Sequence, residues 1–243
     1  VAYASALGQD PYGARLRTLG IAGGVDHAGV KTDASAFTAV YFVTHDATGH
    51  HFSFFRAGSA ASRMTPADLP IEMIRRAKVL HLSGISLAIS TSACDTGYAA
   101  IAAARDAGVA VSFDTNLRLK LWPVDRARAV MTDVMRLVDI CLPSYDDMVA
   151  ITGLREPQAI VDHCLALGAK LVALKLGEIE VDDRGARLGQ PLTRRVARDV
   201  GVELRVVRDH GHAVSRDADV KLERRHAFGK RTFERGQRVL GRQ

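Results

Sequence analysis

The chain has 243 residues, of which 47% are hydrophobic and 25% charged, a composition typical of a globular protein with a full-sized core. No apolar run approaches the roughly 20 residues that a membrane-spanning helix needs, and the three cysteines lack disulfide-framework or metal-site spacing, so we expect a cytoplasmic protein with free thiols. The formal charge of +6 does not indicate a uniformly basic surface: residues 1–180 hold 17 Lys and Arg against 18 Asp and Glu, and residues 181–243 hold 16 against 9.

The first 60 residues predict a helix followed by a hairpin. Asp10 and Pro11 are typical of a helix N-terminus, and Gly20 is expected to end that helix. Residues 37–44 and 50–56 are rich in apolar, β-branched and aromatic side chains and are joined by Asp46-Ala-Thr-Gly49. This pattern predicts two antiparallel strands joined by a short turn.

From residue 66 the pattern alternates between helices and strands. Helices are predicted over residues 66–77, 91–107, 125–137 and 157–167, and strands over residues 79–82, 109–113, 138–142 and 171–174. Successive strand and helix pairs predict an α/β fold with a mostly parallel sheet covered on both faces. We expect the hairpin to lie beside that sheet as a flap.

A polar or glycine cluster follows each of four predicted strands. Ligands of open α/β sheets bind where the carboxyl ends of parallel strands meet, so these clusters predict one cleft for a small, polar, anionic ligand. Turn and capping chemistry is the alternative for any single cluster. The clusters are Ser83-Gly84; Asp114, Asn116 and Arg118; Ser144, Asp146 and Asp147; and Lys175 with Gly177.

Six stretches in order resemble the PfkB (ribokinase-like) carbohydrate kinases, over about residues 1–178. Their forms around Arg56 and Arg118 are most similar to the 2-keto-3-deoxygluconate kinases of that family. The resemblance implies a three-layer sandwich with a mostly parallel sheet and a small β lid. The stretches are Val1-Ala-Tyr-Ala-Ser-Ala-Leu-Gly-Gln-Asp-Pro-Tyr-Gly13, Phe55-Arg-Ala-Gly-Ser-Ala60, Leu80-His-Leu-Ser-Gly-Ile85, Ser112-Phe-Asp-Thr-Asn-Leu-Arg118, Leu142-Pro-Ser-Tyr-Asp-Asp147 and Val172-Ala-Leu-Lys-Leu-Gly-Glu178.

The resemblance also implies a site for the sugar substrate. The hairpin at about residues 37–56 would form the lid, which often also makes a homodimer contact, and Tyr41 and Arg56 would project from it. Arg118 would face the substrate from the main sheet, beside Asp114 and Asn116. Two guanidiniums suit the carboxylate of a sugar acid. The alternatives are an exposed lid charge for Arg56, and for Arg118 a salt bridge with Asp114 or Asp125.

ATP and Mg²⁺ are the cofactors that the resemblance implies. Ser144 and Asp147 stand where the family usually has Asn-x-x-Glu, so Asp147 would serve the metal. Lys175 and Gly177 would approach the nucleotide. The alternatives are first-turn carboxylates on a helix dipole for Asp146 and Asp147, and a solvated strand end for Lys175.

The chain holds no complete copy of the family segment Asp-x-x-Gly-Ala-Gly-Asp, whose glycines face the transferred phosphate and whose last Asp is the base. We therefore expect a partial kinase domain over residues 1–178, truncated at both ends and without turnover, and a basic tail over residues 179–243 read from a shifted frame. Two alternatives stay open: a non-catalytic sugar-acid-binding protein, and nucleic-acid binding by the arginine-rich tail. His210 and His212 in that tail are expected to be surface residues rather than metal ligands.

Overall fold

The computed structural model describes residues 1–46 and 49–176, which lie within the first of the two units into which the chain divides, Val1–Glu180. The described part begins with a strand, a helix and a second strand. The two strands pair in parallel, with Ser5 opposite Val30 and Gly8 opposite Asp33. These elements are β1 (Ser5–Gly8), α1 (Pro11–Ala22) and β2 (Val30–Asp33).

The start of α1 confirms the sequence prediction, but its end does not. Asp10 caps the helix and Pro11 takes the first helical position. Gly20 lies inside the helix, which runs on to Ala22; this prediction was wrong because an interior glycine costs a helix only about 1 kcal/mol relative to alanine. The positive φ of 68° at Gly24 follows the true end.

The predicted hairpin is confirmed. Strands β3 (Val40–Asp46) and β4 (Gly49–Phe55) pair in antiparallel register, with Asp46 opposite Gly49. Aromatic rings face each other across the strands: Tyr41 and Phe54 at 6.0 Å between centroids, and Phe42 and Phe55 edge-on at 5.7 Å. We refer to residues 40–56, the two strands together with Arg56, as the lid.

The main sheet has four parallel strands in the order β5-β6-β7-β8, and helices follow its first three strands. The predicted α/β class with a mostly parallel sheet is therefore confirmed. The elements after the lid are α2 (Ile71–Arg75), β5 (Val79–Ser83), α3 (Gly84–Ala88), α4 (Thr91–Asp106), β6 (Ala110–Asp114), α5 (Val124–Met135), β7 (Ile140–Leu142), α6 (Tyr145–Thr152), α7 (Pro157–Ala166) and β8 (Leu171–Val172).

The predicted helix over residues 66–77 is wrong in one respect, because Pro70 divides it. A single 3₁₀ turn, Pro66–Asp68, precedes the proline, and α2 follows it. Proline lacks an amide hydrogen and pushes the residue before it out of the helical region, and Leu69 accordingly has a ψ of 133°. The strands β1 and β2 and the short helix α3 were not predicted.

The core of this part lies where α4 and α5 cover the main sheet. Phe113 of β6 and Met131, Val134 and Met135 of α5 are fully buried. Cys94, Cys141 and Cys164 are free and buried, as expected from the sequence. Among the helices that the structure describes, none is long and apolar enough to cross a membrane.

Candidate functional site

Two polar side chains meet at the carboxyl ends of β5 and β6. The side-chain amide of Asn116 donates a hydrogen bond to the hydroxyl of Ser83 over 2.9 Å. Asn116 has a φ of 35°, a left-handed conformation that asparagine tolerates better than most residues. Its backbone turns the chain at the end of β6, so the predicted substrate residue also shapes this edge of the sheet.

Asp114 and Lys175 were assigned to different ligands, and the structure joins them to each other. The Lys175 ammonium donates to Asp114 Oδ1 over 2.6 Å, with the two side chains 48% and 25% exposed. Lys175 reaches this position because its backbone forms an isolated parallel β-bridge with Ser144, which follows β7. At this exposure the pair adds little to stability, so either side chain is available to change partner.

Asp147 holds the loop after β6 against the start of α6. Its Oδ2 accepts one hydrogen bond from the hydroxyl of Thr115 over 2.7 Å and a second from the amide of Leu117 over 3.1 Å. The amide of Ser144 donates in turn to the buried Thr115 hydroxyl over 3.1 Å. Asp146 and Asp147 also lie in the first turn of α6, where the helix dipole favours carboxylates.

The side chains near Asp147 can be compared with the ligands that the expected magnesium ion requires. Within residues 1–46 and 49–176 no cluster of three metal-ligating side chains occurs. Magnesium does not require such a cage, since it is commonly held by one or two carboxylates together with phosphate oxygens and water. The single carboxylate of Asp147 fits that kind of site.

A cavity of about 230 Å³ lies between the lid and the residues that follow β5. Tyr41 and Arg56, the two lid residues assigned to the substrate, both line it. Its other polar lining residues, which sequence reasoning did not assign to the substrate, are Tyr3, Ser5, Ser59 and Ser86. The lining is Tyr3, Ser5, Ala39, Val40, Tyr41, Arg56, Ser59, Ala61, Ile85, Ser86 and Ile89.

Arg56 lines this cavity, and Arg118 lies near enough to Arg56 for its charge to be felt there. The Arg56 guanidinium stacks on the Phe54 ring at 4.7 Å from the centroid. Burial, and second the positive charge of Arg118, lower the pKa of Arg56. Arg118 is exposed, and its guanidinium donates a hydrogen bond to the Leu117 carbonyl over 2.8 Å.

Neither guanidinium forms an ion pair with a carboxylate in the described part of the chain. The alternative of a salt bridge from Arg118 is wrong, because Asp114 pairs with Lys175 and Asp125 pairs with Arg128 over 2.5 Å. Arg56 is half-buried rather than a fully exposed lid charge. The guanidinium of Arg56 therefore adds positive charge to the cavity lining without a carboxylate to neutralise it.

Sequence reasoning missed Thr115, and it named Gly84 only as part of the strand-end cluster Ser83-Gly84, without its close contact to the loop after β6. Thr115 is fully buried and links Asp147 to Ser144, although it sits inside the motif that was singled out. Gly84 begins α3 so close to the loop after β6 that an added Cβ would lie 2.0 Å from the Thr115 carbonyl oxygen. The position of Gly84 directly after a strand was the available signal.

Several predictions lie outside the described residues. They concern Gly177 as a nucleotide contact, the tail over residues 179–243 with its shifted reading frame, and the histidines His210 and His212. They stay predictions.

Comparison with known proteins adds evidence that is independent of this geometry. The family model described as "pfkB family carbohydrate kinase" matches residues 1–181. The chain is 33% identical over 181 residues to 2-dehydro-3-deoxygluconokinase of Thermoproteus tenax, covering 70% of this chain and 53% of the relative. It is 37% identical over 155 residues to Fructokinase-1 of Oryza sativa subsp. japonica, covering 63% and 48%.

A solved structure shares the fold of the described part. Fructokinase with bound ATP from Xylella fastidiosa superposes with a TM-score of 0.62 at 22% identity, over 72% of this chain and 54% of that one. The chain spans about half the length of the curated relatives it matches.

Proposed function

Because the chain belongs to the pfkB family of carbohydrate kinases, as its motifs predicted, we propose that its site is that of a kinase for a sugar acid, the ATP-dependent reaction being 2-keto-3-deoxygluconate to its 6-phosphate. The observation that carries this proposal is Arg56 in the lining of the cavity under the lid, within electrostatic reach of Arg118. The relatives include both 2-dehydro-3-deoxygluconokinases and fructokinases, so family membership leaves the substrate open.

The charge of the site favours the acid over a neutral sugar. Two guanidiniums side by side repel each other, and a carboxylate between them replaces that repulsion with charge-assisted hydrogen bonds worth about 1.5–3 kcal/mol each. Fructose has no charged group to offer them. Tyr41 and Ser86, which line the same cavity, are suited to the hydroxyl groups that both sugars carry.

The proposed nucleotide side lies at the ends of β6 and β7. Asp147 would hold Mg²⁺ together with phosphate oxygens and water, and Ser144 and Lys175 would approach the phosphates. A magnesium ion bound there would neutralise the charge of the transferred phosphoryl group. The relay from Ser144 through Thr115 to Asp147 keeps that carboxylate oriented, and the half-exposed Lys175 can exchange Asp114 for a phosphate oxygen. Gly177 belongs to the proposal from the resemblance alone.

We propose that the 243-residue chain binds the sugar acid without transferring phosphate. It carries the substrate side chains but no complete copy of the segment that supplies the base in the family. A group positioned to accept the hydroxyl proton contributes typically about 10²–10⁴-fold to such a reaction. A homodimer through the lid belongs to the same proposal, supported by Phe42 and Phe55, which are 53% and 54% exposed.

Calorimetric titration of the purified chain with 2-keto-3-deoxygluconate and with fructose tests the substrate. We expect binding of the acid, much weaker binding of fructose, and at least about a tenfold loss of acid affinity in Arg56→Gln and in Arg118→Gln. The matched control is Arg75→Gln, which removes a guanidinium paired with Glu72 on α2 and should leave the affinity unchanged. Equal binding of fructose, or retention of the acid by both arginine variants, would overturn the assignment.

A phosphoryl-transfer assay of the same preparation with ATP and Mg²⁺ tests the second statement. We expect no formation of the 6-phosphate above the uncatalysed level. Measurable turnover would refute the proposal that the chain lacks its base, while leaving the substrate assignment intact.

A further inference from the structure

The two oxygens of the Asp10 carboxylate bind two different parts of the molecule. Asp10 Oδ1 accepts a hydrogen bond from the amide of Gly13, in the first turn of α1, over 2.8 Å. Asp10 Oδ2 accepts from the amide of Thr38, 28 residues further along the chain, over 2.6 Å. Capping a helix needs only the first of these bonds.

Thr38 stands immediately before the residues that line the candidate substrate cavity. Its side chain is 2% exposed, and its hydroxyl accepts from the amide of Gly8 over 2.9 Å. The next residues, Ala39, Val40 and Tyr41, all line the cavity. The direction in which the lid leaves the body of the protein is therefore set at Thr38.

The other end of the lid is tied to the same place. The amide of Ala60 donates to the Phe37 carbonyl over 2.9 Å, which joins the segment after Arg56 to the residue before Thr38. Both ends of the lid thus meet at one junction, and Asp10 connects that junction to α1.

Two glycines leave the room that this junction requires. A Cβ on Gly8 would lie 2.5 Å from both Asp10 Oδ2 and the Ala36 carbonyl oxygen and 2.6 Å from the Thr38 amide nitrogen. A Cβ on Gly13 would lie 2.3 Å from the Gly8 carbonyl oxygen. Gly8 and Gly13 are therefore required because the backbone comes so close to them, and Asp10 between them caps α1.

Asp is the side chain that this arrangement needs. Ser and Asn cap helices about as well as Asp, but neither offers two acceptor oxygens. The amides of Gly13 and then of Thr38 lower the pKa of Asp10, which keeps both oxygens available as acceptors at neutral pH.

We propose that Asp10 is a positioning residue for the sugar-acid site: its second oxygen holds the base of the lid and so sets Tyr41 and Arg56 over the cavity. This inference rests on the proposed function, since it gives the lid its place at the substrate. Asp10 touches no reacting atom and acts through Thr38.

Amide hydrogen exchange measured by NMR on the full chain tests the junction without any ligand. In Asp10→Ser, the serine keeps the cap but is too short to reach Thr38. We expect the Thr38 amide to exchange at least about tenfold faster, and the Gly13 amide to change by less than about threefold. Asp139→Ala is a matched control, because Asp139 accepts a similar hydrogen bond from the Val111 amide over 2.9 Å and forms an ion pair with Lys170. Alanine removes the acceptor, so the Val111 amide should exchange faster while the Thr38 amide stays protected.

Titration with 2-keto-3-deoxygluconate supplies the second readout. We expect about a tenfold weaker affinity in Asp10→Ser and no change in the Asp139→Ala control. Equal loss of protection at Gly13 and Thr38, or unchanged protection at Thr38, would overturn the role of Asp10. If the unaltered chain binds no sugar acid, the proposed function fails, and the exchange result still decides whether Asp10 holds the lid.

Discussion

The main sheet and the lid region are held together by different forces. Phe113 and Met131 in the main sheet and its helices are fully buried, so apolar contact dominates there. The lid carries Phe42 and Phe55 more than half exposed and depends at its base on hydrogen bonds to Asp10 and Thr38. The fold thus combines a packed scaffold with a lid that is attached to it through polar contacts.

The site shows the same contrast in its charges. At the strand ends, Asp114, Lys175 and Asp147 have partners within the protein. Arg56, which lines the cavity, lies within electrostatic reach of Arg118, and neither has a carboxylate partner in the described residues. Charges with protein partners stabilise loops, whereas the guanidinium of Arg56 supports the proposed anionic ligand.

Phe113→Ala should give the largest effect on stability. Removing a fully buried phenyl ring leaves a cavity under α4 and α5 and should lower the free energy of unfolding by about 4 kcal/mol. Phe42→Ala on the lid should cost about 1 kcal/mol or less, because that ring is half exposed. Chemical denaturation of both variants measures the difference, and equal losses would contradict the proposed contrast.

Gly84→Ala should have the next largest effect. The new Cβ would lie 2.0 Å from the Thr115 carbonyl oxygen, so α3 must shift away from the loop after β6 at a cost of about 1–3 kcal/mol. Gly20→Ala is the matched control: nothing lies within 4 Å of its Cβ, and alanine should stabilise α1 by about 0.5–1 kcal/mol. Thermal unfolding of the two variants should therefore move in opposite directions; a rise in both would show that α3 has room to adjust.

Protonation of Asp68 at low pH should lower the stability of the chain, by less than either substitution above, because it weakens the contact of Asp68 with Lys31 of β2. The hydrogen bond from Lys31, then those from Thr65, lower the pKa of Asp68 to about 2 from an ordinary value of 3.8. The stabilisation is therefore complete above about pH 4 and is lost as the pH falls toward about 2. In denaturation experiments at a series of pH values, the stability difference between the unaltered chain and Asp68→Asn should shrink over this range. A difference that is independent of pH would contradict it.

Much of the main sheet could be predicted from the sequence, because its signals are local. The hairpin followed from strand-forming residues on both sides of Asp46-Ala-Thr-Gly49, and α4 from an alanine-rich stretch that Gly108 closes with a φ of 70°. Polar residues at successive strand ends predicted one edge of the sheet, and the bond from Asn116 to Ser83 joins two of them. The break at Pro70 was also present in the sequence and was overlooked.

By itself, then, the sequence determined the helices α4, α5 and α7, the strands of the main sheet and the family, since caps, turns and periodic burial depend on neighbouring residues. Only the tertiary structure decided the parallel pairing of β1 with β2, the meeting of Tyr3 and Ser86 in one cavity lining, and the second hydrogen bond of Asp10. Each of these joins segments that are distant along the chain, and local sequence patterns do not predict such contacts. Such contacts form only when packing has brought the segments together, because their energy must first offset the entropy of closing the intervening loop.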